Sequence, residues 1–319
     1  MEQSGATRPL IVGIDIGGTK THLRAIGPDG ERDLVVPSVE WRCREWGEDA
    51  ARLLAMVDRF VEAAPVAAIG VGAHGCDDGA ECEAFLAAFV ERTRTPISVV
   101  NDAELMPLAL GLHGQIGVVA GTGSIAVCRK AGGEMMVAGG WGWIIGDEGS
   151  AASLVREAAR AAAQHFDAGG SRDEPLVELL FDGLEVPHVP RLGSVLAALG
   201  SATAVGRHAE IVFQAADRGS ELAHRVIREG GAALAMLVRH LQTRGAPADT
   251  VVAGGSVIVA QPLLWQAFAD AVTVTCEGAI VPRLFSGKPV EGACHLAASL
   301  IAPSTGTAGT GGVRQGLRI

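Results

Sequence analysis

The sequence predicts an α/β protein built from two similar halves, with a ligand cleft between them. Three observations carry this. Residues 10–26 read as strand, Gly17-Gly18 turn, strand, and residues 116–129 repeat that order around Gly121-Thr122-Gly123. Short apolar runs of strand length alternate with stretches of helical spacing. The glycine-rich turns follow strand ends, which is where open α/β sheets bind ligands.

Taken in order, residues 10–16 are an apolar run, residues 20–26 a second strand, and Pro28-Asp29-Gly30 a turn signal before a third at 31–36. These three are expected to pair antiparallel. In residues 47–64 the side chains of Ala51, Leu54, Val57, Phe60 and Val61 share one helical face. A short strand at 66–71 ends at Gly72, a helix follows at 82–92, and the strand 96–100 ends at Asn101-Asp102. Residues 103–112 read as helical. In the second half, strands are expected at 116–120, 125–129 and 134–138, and an Ala-rich helix at 149–166. Residues 171–218 read as helices interrupted by Pro and Gly, and 220–243 as one long helix. A strand at 250–253 ends in Gly254-Gly255-Ser256, followed by a helix at 263–271 and a late strand at 280–284. The expected units are residues 1–112, residues 113–302 with a helical insertion, and a Gly/Thr-rich tail at 303–319 that frays.

Composition narrows the function. A chain of 319 residues suits about two domains. With 48% hydrophobic and 19% charged residues it builds a sizeable core. The net charge of −10 argues against a nonspecific nucleic-acid binder, though not against a bound nucleotide, because backbone N–H groups hold phosphate on an acidic protein. No apolar stretch approaches the roughly 20 residues of a membrane span, and the first ten residues hold no apolar signal core. Six cysteines without a CxxC spacing read as reduced thiols, so a cytoplasmic protein acting on a small molecule is expected.

Five segments carry candidate chemistry. In Asp15-Ile16-Gly17-Gly18-Thr19-Lys20-Thr21 a tight turn exposes consecutive N–H groups to an anion, and Asp15 at a strand end suits hydrated Mg²⁺. The spacing is neither GxxxxGK[ST] nor GxGxxG, and an ordinary Gly-Gly hairpin is the alternative. Gly121-Thr122-Gly123-Ser124 is a second such cradle, weak alone and stronger at an equivalent place. Asn101-Asp102 offers a carboxylate to take a proton from a substrate hydroxyl, or a cap for the helix that follows. The segment 139–150, GGWGWIIGDEGS, is the most unusual in the chain. Its Trp141 presents an apolar ring suited to a sugar or base, and Asp147 and Glu148 either contact substrate or complement a helix dipole. Gly254-Gly255-Ser256 lets an adenine and ribose lie flat on backbone.

Together these segments resemble the actin/Hsp70/sugar-kinase superfamily over about residues 10–300, and within it the BadF/BadG/BcrA/BcrD ATPase group, which includes N-acetylglucosamine kinases. The segment 139–150 is the discriminating match. The resemblance implies two ribonuclease-H-like (actin-like ATPase) domains flanking a nucleotide cleft that holds MgATP. It implies that Asp102 is the catalytic base toward a sugar hydroxyl, the 6-OH. ATP would lie on Gly17, Gly18, Thr19, Lys20, Gly121, Thr122, Gly123, Ser124, Gly254, Gly255 and Ser256. Mg²⁺ would be held by Asp15 and Asp102. The sugar would meet Glu40, His74, Gly75, Asn101, Asp102, Trp141, Asp147 and Glu148. A homodimer would be common for the group.

Two departures fall where sugar identity is read. Those kinases carry a Ser-Thr-Asn-like stretch after the third strand, with the Asn on the sugar; here residues 37–43 are PSVEWRC, without Asn. The loop after the fourth strand is Gly72-Ala73-His74-Gly75-Cys76-Asp77-Asp78 rather than a run of small residues, and His74 there is either structural or a substrate contact. The expected activity is therefore an ATP-dependent kinase of an amino sugar or N-acetylated amino sugar. The alternatives are an activator-type ATPase, for which no cysteine pair offers cluster-binding context, and a non-catalytic sugar or nucleotide sensor. A ROK-type repressor would show a CxCGxxGCxE pattern and an N-terminal DNA-binding module, and neither is expected here.

Overall fold

The computed structural model describes residues 9–130 and 132–302; the predicted tail at 303–319 lies outside them. The first half runs β1 (Leu10–Ile16), β2 (Lys20–Gly27), β3 (Gly30–Pro37), α1 (Trp46–Phe60), β4 (Val66–Ala73), α2 (Gly79–Val90), β5 (Ile97–Asn101) and α3 (Leu105–Ala109). The second opens with β6 (Ile116–Ala120), β7 (Ser124–Arg129) and β8 (Met135–Gly139). Then come α4 (Ala151–Asp167), α5 (Pro175–Gly183), α6 (Leu192–Ala198), α7 (Ala202–Gly206), α8 (Glu210–Asp217) and α9 (Glu221–Thr243). It ends with β9 (Thr250–Gly254), α10 (Ser256–Ala260), α11 (Pro262–Thr275), β10 (Val281–Leu284) and α12 (Val290–Ser299).

The duplication is explicit in the sheets. One has the order β3-β2-β1-β4-β5, the other β8-β7-β6-β9-β10. In each, the first three strands pair antiparallel and the last two add parallel. Ile14 sits between Leu23 and Val71, and Val118 takes the same place between Ala126 and Ala253. Parallel strands are covered on both faces, so β4 is almost wholly buried, whereas β3 closes an edge with the charged run Glu31-Arg32-Asp33.

The first sheet is packed by Leu53 and Val57 of α1 and by Phe85 and Phe89 of α2. The second is packed by α4 and α9, whose small and branched side chains (Ala158, Ala162, Leu234, Val238) meet Phe181 and Phe268. The helix expected at 47–64 stops at Phe60, because Glu62 and Ala63 turn to positive φ. Ser150 caps α4 by accepting from the Ser153 N–H. The interrupted region resolves into α5 to α8, and 103–112 into a 3-10 turn at 102–104 followed by the short α3. Among the described residues no helix is long and apolar enough to cross a membrane.

Two helices went unread in the sequence, α10 and α12. Residues 290–299 were expected with the second unit, yet α12 packs on β1, β4 and α3 of the first. The contact is backbone-close: a Cβ on Gly70 would lie 2.1 Å from the Ala293 carbonyl oxygen, and one on Gly13 would lie 2.6 Å from Cys294 N. The last described helix thus clasps the opening sheet.

Candidate active site

The first glycine turn joins β1 to β2. It is closed by the Gly17 N–H donating to the Lys20 carbonyl (2.9 Å). Ser38, just after β3, braces it: its N–H donates to the Thr19 carbonyl (2.9 Å) and its hydroxyl to the Gly17 carbonyl (2.8 Å). His74 lies against this turn. Its N–H donates to the Ile16 carbonyl (2.8 Å), and a Cβ on Gly18 would sit 3.5 Å from its ring.

Asp102 meets the same cluster from β5. Its carboxylate is 3.9 Å from His74 Nδ1, with the Asp102 side chain 15% exposed and His74 open to solvent. Asn101, not Asp102, does the capping. It accepts from the Ala103 N–H and donates from Nδ2 to the Cys76 carbonyl, while Glu104 accepts from the Asn101 N–H in a capping box. The Asp102 carboxylate is thereby left for other work. Burial raises its proton affinity, an effect His74 opposes and Asp77 adds to. Asp15 is pushed up to about 7, first by burial and then by the negative charge of Asp102, with Lys20 acting the other way. A buried carboxylate at the end of β1 that feels the charge of a second one just after β5 suits a cation or a proton in transit.

The second turn, between β6 and β7, is closed one residue more tightly than the first: the Gly121 N–H donates to the Gly123 carbonyl (2.9 Å). The Ala151 N–H at the start of α4 donates to the Gly121 carbonyl. The third turn abuts it. Gly255 has φ +107°, and a Cβ there would lie 2.6 Å from the Ala120 carbonyl, so only glycine fits. Ser256 Oγ lies beside Gly121, so the second and third turns form one surface. The two halves are tied beneath Asp102, where Arg129 of β7 forms an ion pair with Glu104 (2.6 Å) that keeps the capping box in place.

Several predicted site residues sit elsewhere. Glu40 is exposed and lines a groove with Leu34, Val36, Trp41, Met56, Arg59 and Phe60, between β3 and α1; among the described residues nothing joins it to Asp102. The turn 38–40 sends Ser38 inward and leaves Glu40 exposed on that groove. Asp147, held at φ +55°, turns to the second glycine turn: its carboxylate accepts from the Gly142 N–H, and a Cβ on Gly123 would be 2.8 Å from it. The Glu148 carbonyl accepts from the Ser124 hydroxyl. Trp141 is 73% exposed, on a loop that Arg156 of α4 anchors through the Trp143 and Gly146 carbonyls.

Sequence reasoning missed Arg42. Its guanidinium donates to the carbonyl of His74 (2.5 Å), the residue whose ring faces Asp102. The stretch 37–43 lacks the expected Asn and supplies this arginine.

Known proteins bear on this arrangement. The chain is 33% identical over 174 residues to a Clostridium acetobutylicum protein named N-acetylmuramic acid/N-acetylglucosamine kinase. That match covers 51% of this chain and 56% of the relative, so it spans little more than half of the relative's length. A crystal structure from Chromobacterium violaceum, of a protein proposed to be an N-acetylglucosamine kinase, matches 91% of this chain and 99% of its own at 24% identity and TM-score 0.63. A ROK-family glucokinase from Streptomyces griseus, solved with glucose and AMPPNP, matches 91% and 99% at 19% identity and TM-score 0.55. These two structures share the fold. The model of the BadF/BadG/BcrA/BcrD ATPase family matches residues 12–297, nearly the whole described chain, and the protein belongs to that family.

Proposed function

We propose that this protein is a kinase that transfers the γ-phosphoryl group of ATP to a hydroxyl, the 6-OH, of an N-acetylated amino sugar. The observation that carries the reading is the condition of Asp102: mostly buried, relieved of capping by Asn101, raised in proton affinity and facing His74 beside the first glycine turn. Such a carboxylate takes the hydroxyl proton as the sugar oxygen bonds to phosphorus and the bond to the ADP oxygen breaks. Little more is asked of the protein than positioning and charge neutralisation.

In this reading Gly17, Gly18, Thr19, Gly121, Thr122 and Gly123 offer N–H groups to the phosphates, with Lys20 adjoining. Gly254, Gly255 and Ser256 face adenosine, and His74 and Gly75 border the acceptor. Asp15 and Asp102 fit a hydrated Mg²⁺, because the charge of Asp102 reaches Asp15 and a cation there would relieve it. Mg²⁺ keeps several waters and is held by one or two carboxylates with substrate phosphates. Bound there, Mg²⁺ would offset phosphate charge. The Clostridium relative's name supports an N-acetylated amino sugar as acceptor.

The test is ADP release from MgATP with N-acetylglucosamine, glucosamine, N-acetylmannosamine, glucose or no sugar. The expected result is release that depends on sugar and is fastest with an N-acetylated one. Equal release with and without sugar would replace this reading with that of an activator-type ATPase.

A further inference from the structure

We propose that Cys76 and Cys82 form an oxidation site: a peroxide joins them in a reversible disulfide, and the joined form loses its hold on the acceptor. The chemistry of the pair stands apart from the kinase reading above, and its effect on the acceptor rests on that reading.

Sulfur gathers at the foot of the loop that carries His74. Cys76 follows His74 by two residues, and Cys82 sits near the start of α2. Both are buried. Cys82 Sγ lies 3.9 Å from the Cys76 carbonyl oxygen and 4.0 Å from Met135 Sδ. Arg129 Nη2 comes within 4.0 Å of the same sulfur, while its Nε pairs with Glu104.

The pair is asymmetric. The Cys76 thiol donates to Cys82 and lowers its proton affinity; burial and Glu104 oppose this and Arg129 adds to it. The same contact, followed by burial, raises Cys76. Burial also raises Cys128, Cys276 and Cys294, so Cys82 alone among the five buried cysteines leans toward thiolate. A thiolate against a partner thiol is what disulfide formation uses. The Cys82 thiolate attacks one oxygen of hydrogen peroxide and becomes a sulfenic acid, and the departing hydroxide takes a proton to become water. The Cys76 sulfur then attacks the Cys82 sulfur. The sulfenic hydroxyl leaves as water with the Cys76 proton, and the S–S bond forms. Two thiols are oxidised and one peroxide is reduced to two waters.

Closure moves the loop beside Asp102. Bonded sulfurs lie about 2 Å apart, well inside the contact two thiols keep, so Cys76 is drawn toward α2. Its carbonyl accepts from Asn101 Nδ2 (2.9 Å), the neighbour of Asp102, and its N–H donates to the Ala73 carbonyl (3.2 Å). Gly75, at φ +82°, lies between His74 and Cys76 and gives the backbone a pivot. A shift of Cys76 therefore displaces His74 from Asp102. The second and third glycine turns belong to the other half, so the loss falls on the sugar side rather than on ATP.

The test uses the full chain with the exposed Cys43 replaced, Cys43→Ser, to silence it. The protein is treated with a slight excess of hydrogen peroxide, alkylated, digested and mapped by mass spectrometry. The expected product is a cross-link between Cys76 and Cys82. With it, kcat/KM for N-acetylglucosamine falls by at least about tenfold, since a misplacement of about 1 Å near reacting groups costs about 100-fold. KM for ATP moves by less than about twofold, and dithiothreitol restores the activity. Adding Cys76→Ala stops the reaction at a Cys82 sulfenic acid that dimedone traps, and adding Cys82→Ala makes activity insensitive to peroxide. Absence of the cross-link would overturn the proposal without either added variant. So would a cross-link that leaves kcat/KM unchanged, or a loss of activity that persists in Cys82→Ala. Reduced protein without sugar-dependent ADP release would end the kinase reading and the effect on the acceptor, while a mapped cross-link would still establish the oxidation site.

Discussion

Asp102→Asn is expected to lower kcat by about three orders of magnitude, within the range that general-base removal costs, while KM for ATP moves by less than about threefold. The amide has the size of the carboxylate and cannot accept the sugar proton. The fold is expected to survive, because the capping box uses Asn101 and Glu104 and leaves Asp102 out. A second signature separates loss of a base from loss of shape. In the wild type a base must be ionised, and burial raises the proton affinity of both Asp102 and Asp15, the latter to about 7. Activity should therefore fall as pH drops through a range above that of ordinary carboxylates, and the fall belongs to the pair. In the variant that acidic limb changes shape along with the rate. Steady-state kinetics across pH make the check; a variant with near wild-type kcat would remove Asp102 from the chemistry.

Gly70→Ala is expected to destabilise the fold by about 3 kcal/mol, the upper part of the usual cost of overpacking. The added methyl would lie 2.1 Å from the Ala293 carbonyl oxygen and 2.8 Å from the Ala297 N, both backbone atoms of α12 that cannot swing aside as a side chain could. Either β4 or α12 must move, and β4 is hydrogen-bonded on both sides, to β1 and β5. Gly79→Ala is the control. It stands at the start of α2 with nothing within 4 Å of the new methyl, so stability should hold or rise slightly. Denaturant midpoints of the two variants against wild type decide it. Equal midpoints for Gly70→Ala and wild type would mean that α12 does not dock on the first sheet as described.

The duplicated sheet was legible because each half opens with two apolar strands flanking a glycine turn, and β4 and β9 are short apolar runs with glycine at or near their ends. The clasp by α12 was not. Its sequence, VEGACHLAAS, is made of small residues suited to lying close on Gly13 and Gly70, so it lacks the contrast of large apolar and polar faces that marks a surface helix.

The same division holds at the site. Asp15, the glycine turns and Asn101-Asp102 announce themselves at strand ends. Which of Asn101 and Asp102 caps the turn was ambiguous, since both residue types do so, and only the geometry assigns Asn101. Around Ser38–Glu40 the chain changes direction at every step: Trp41 points to Thr21, Arg42 to His74, and Glu40 to an outer groove. No spacing rule foresees that order, in which Glu40 faces the groove and Arg42 holds the place beside His74. Asp147, expected either on substrate or beside a helix dipole, has its carboxylate against the second glycine turn.

The central claim is that phosphorus passes from ATP to a sugar oxygen. Its most direct test is phosphorus magnetic resonance on the products of MgATP with N-acetylglucosamine and with N-acetylmuramic acid. The account predicts a phosphomonoester whose phosphorus couples to the two C6 protons of the sugar, formed in step with ADP. Inorganic phosphate as the sole new phosphorus product beside ADP would contradict it.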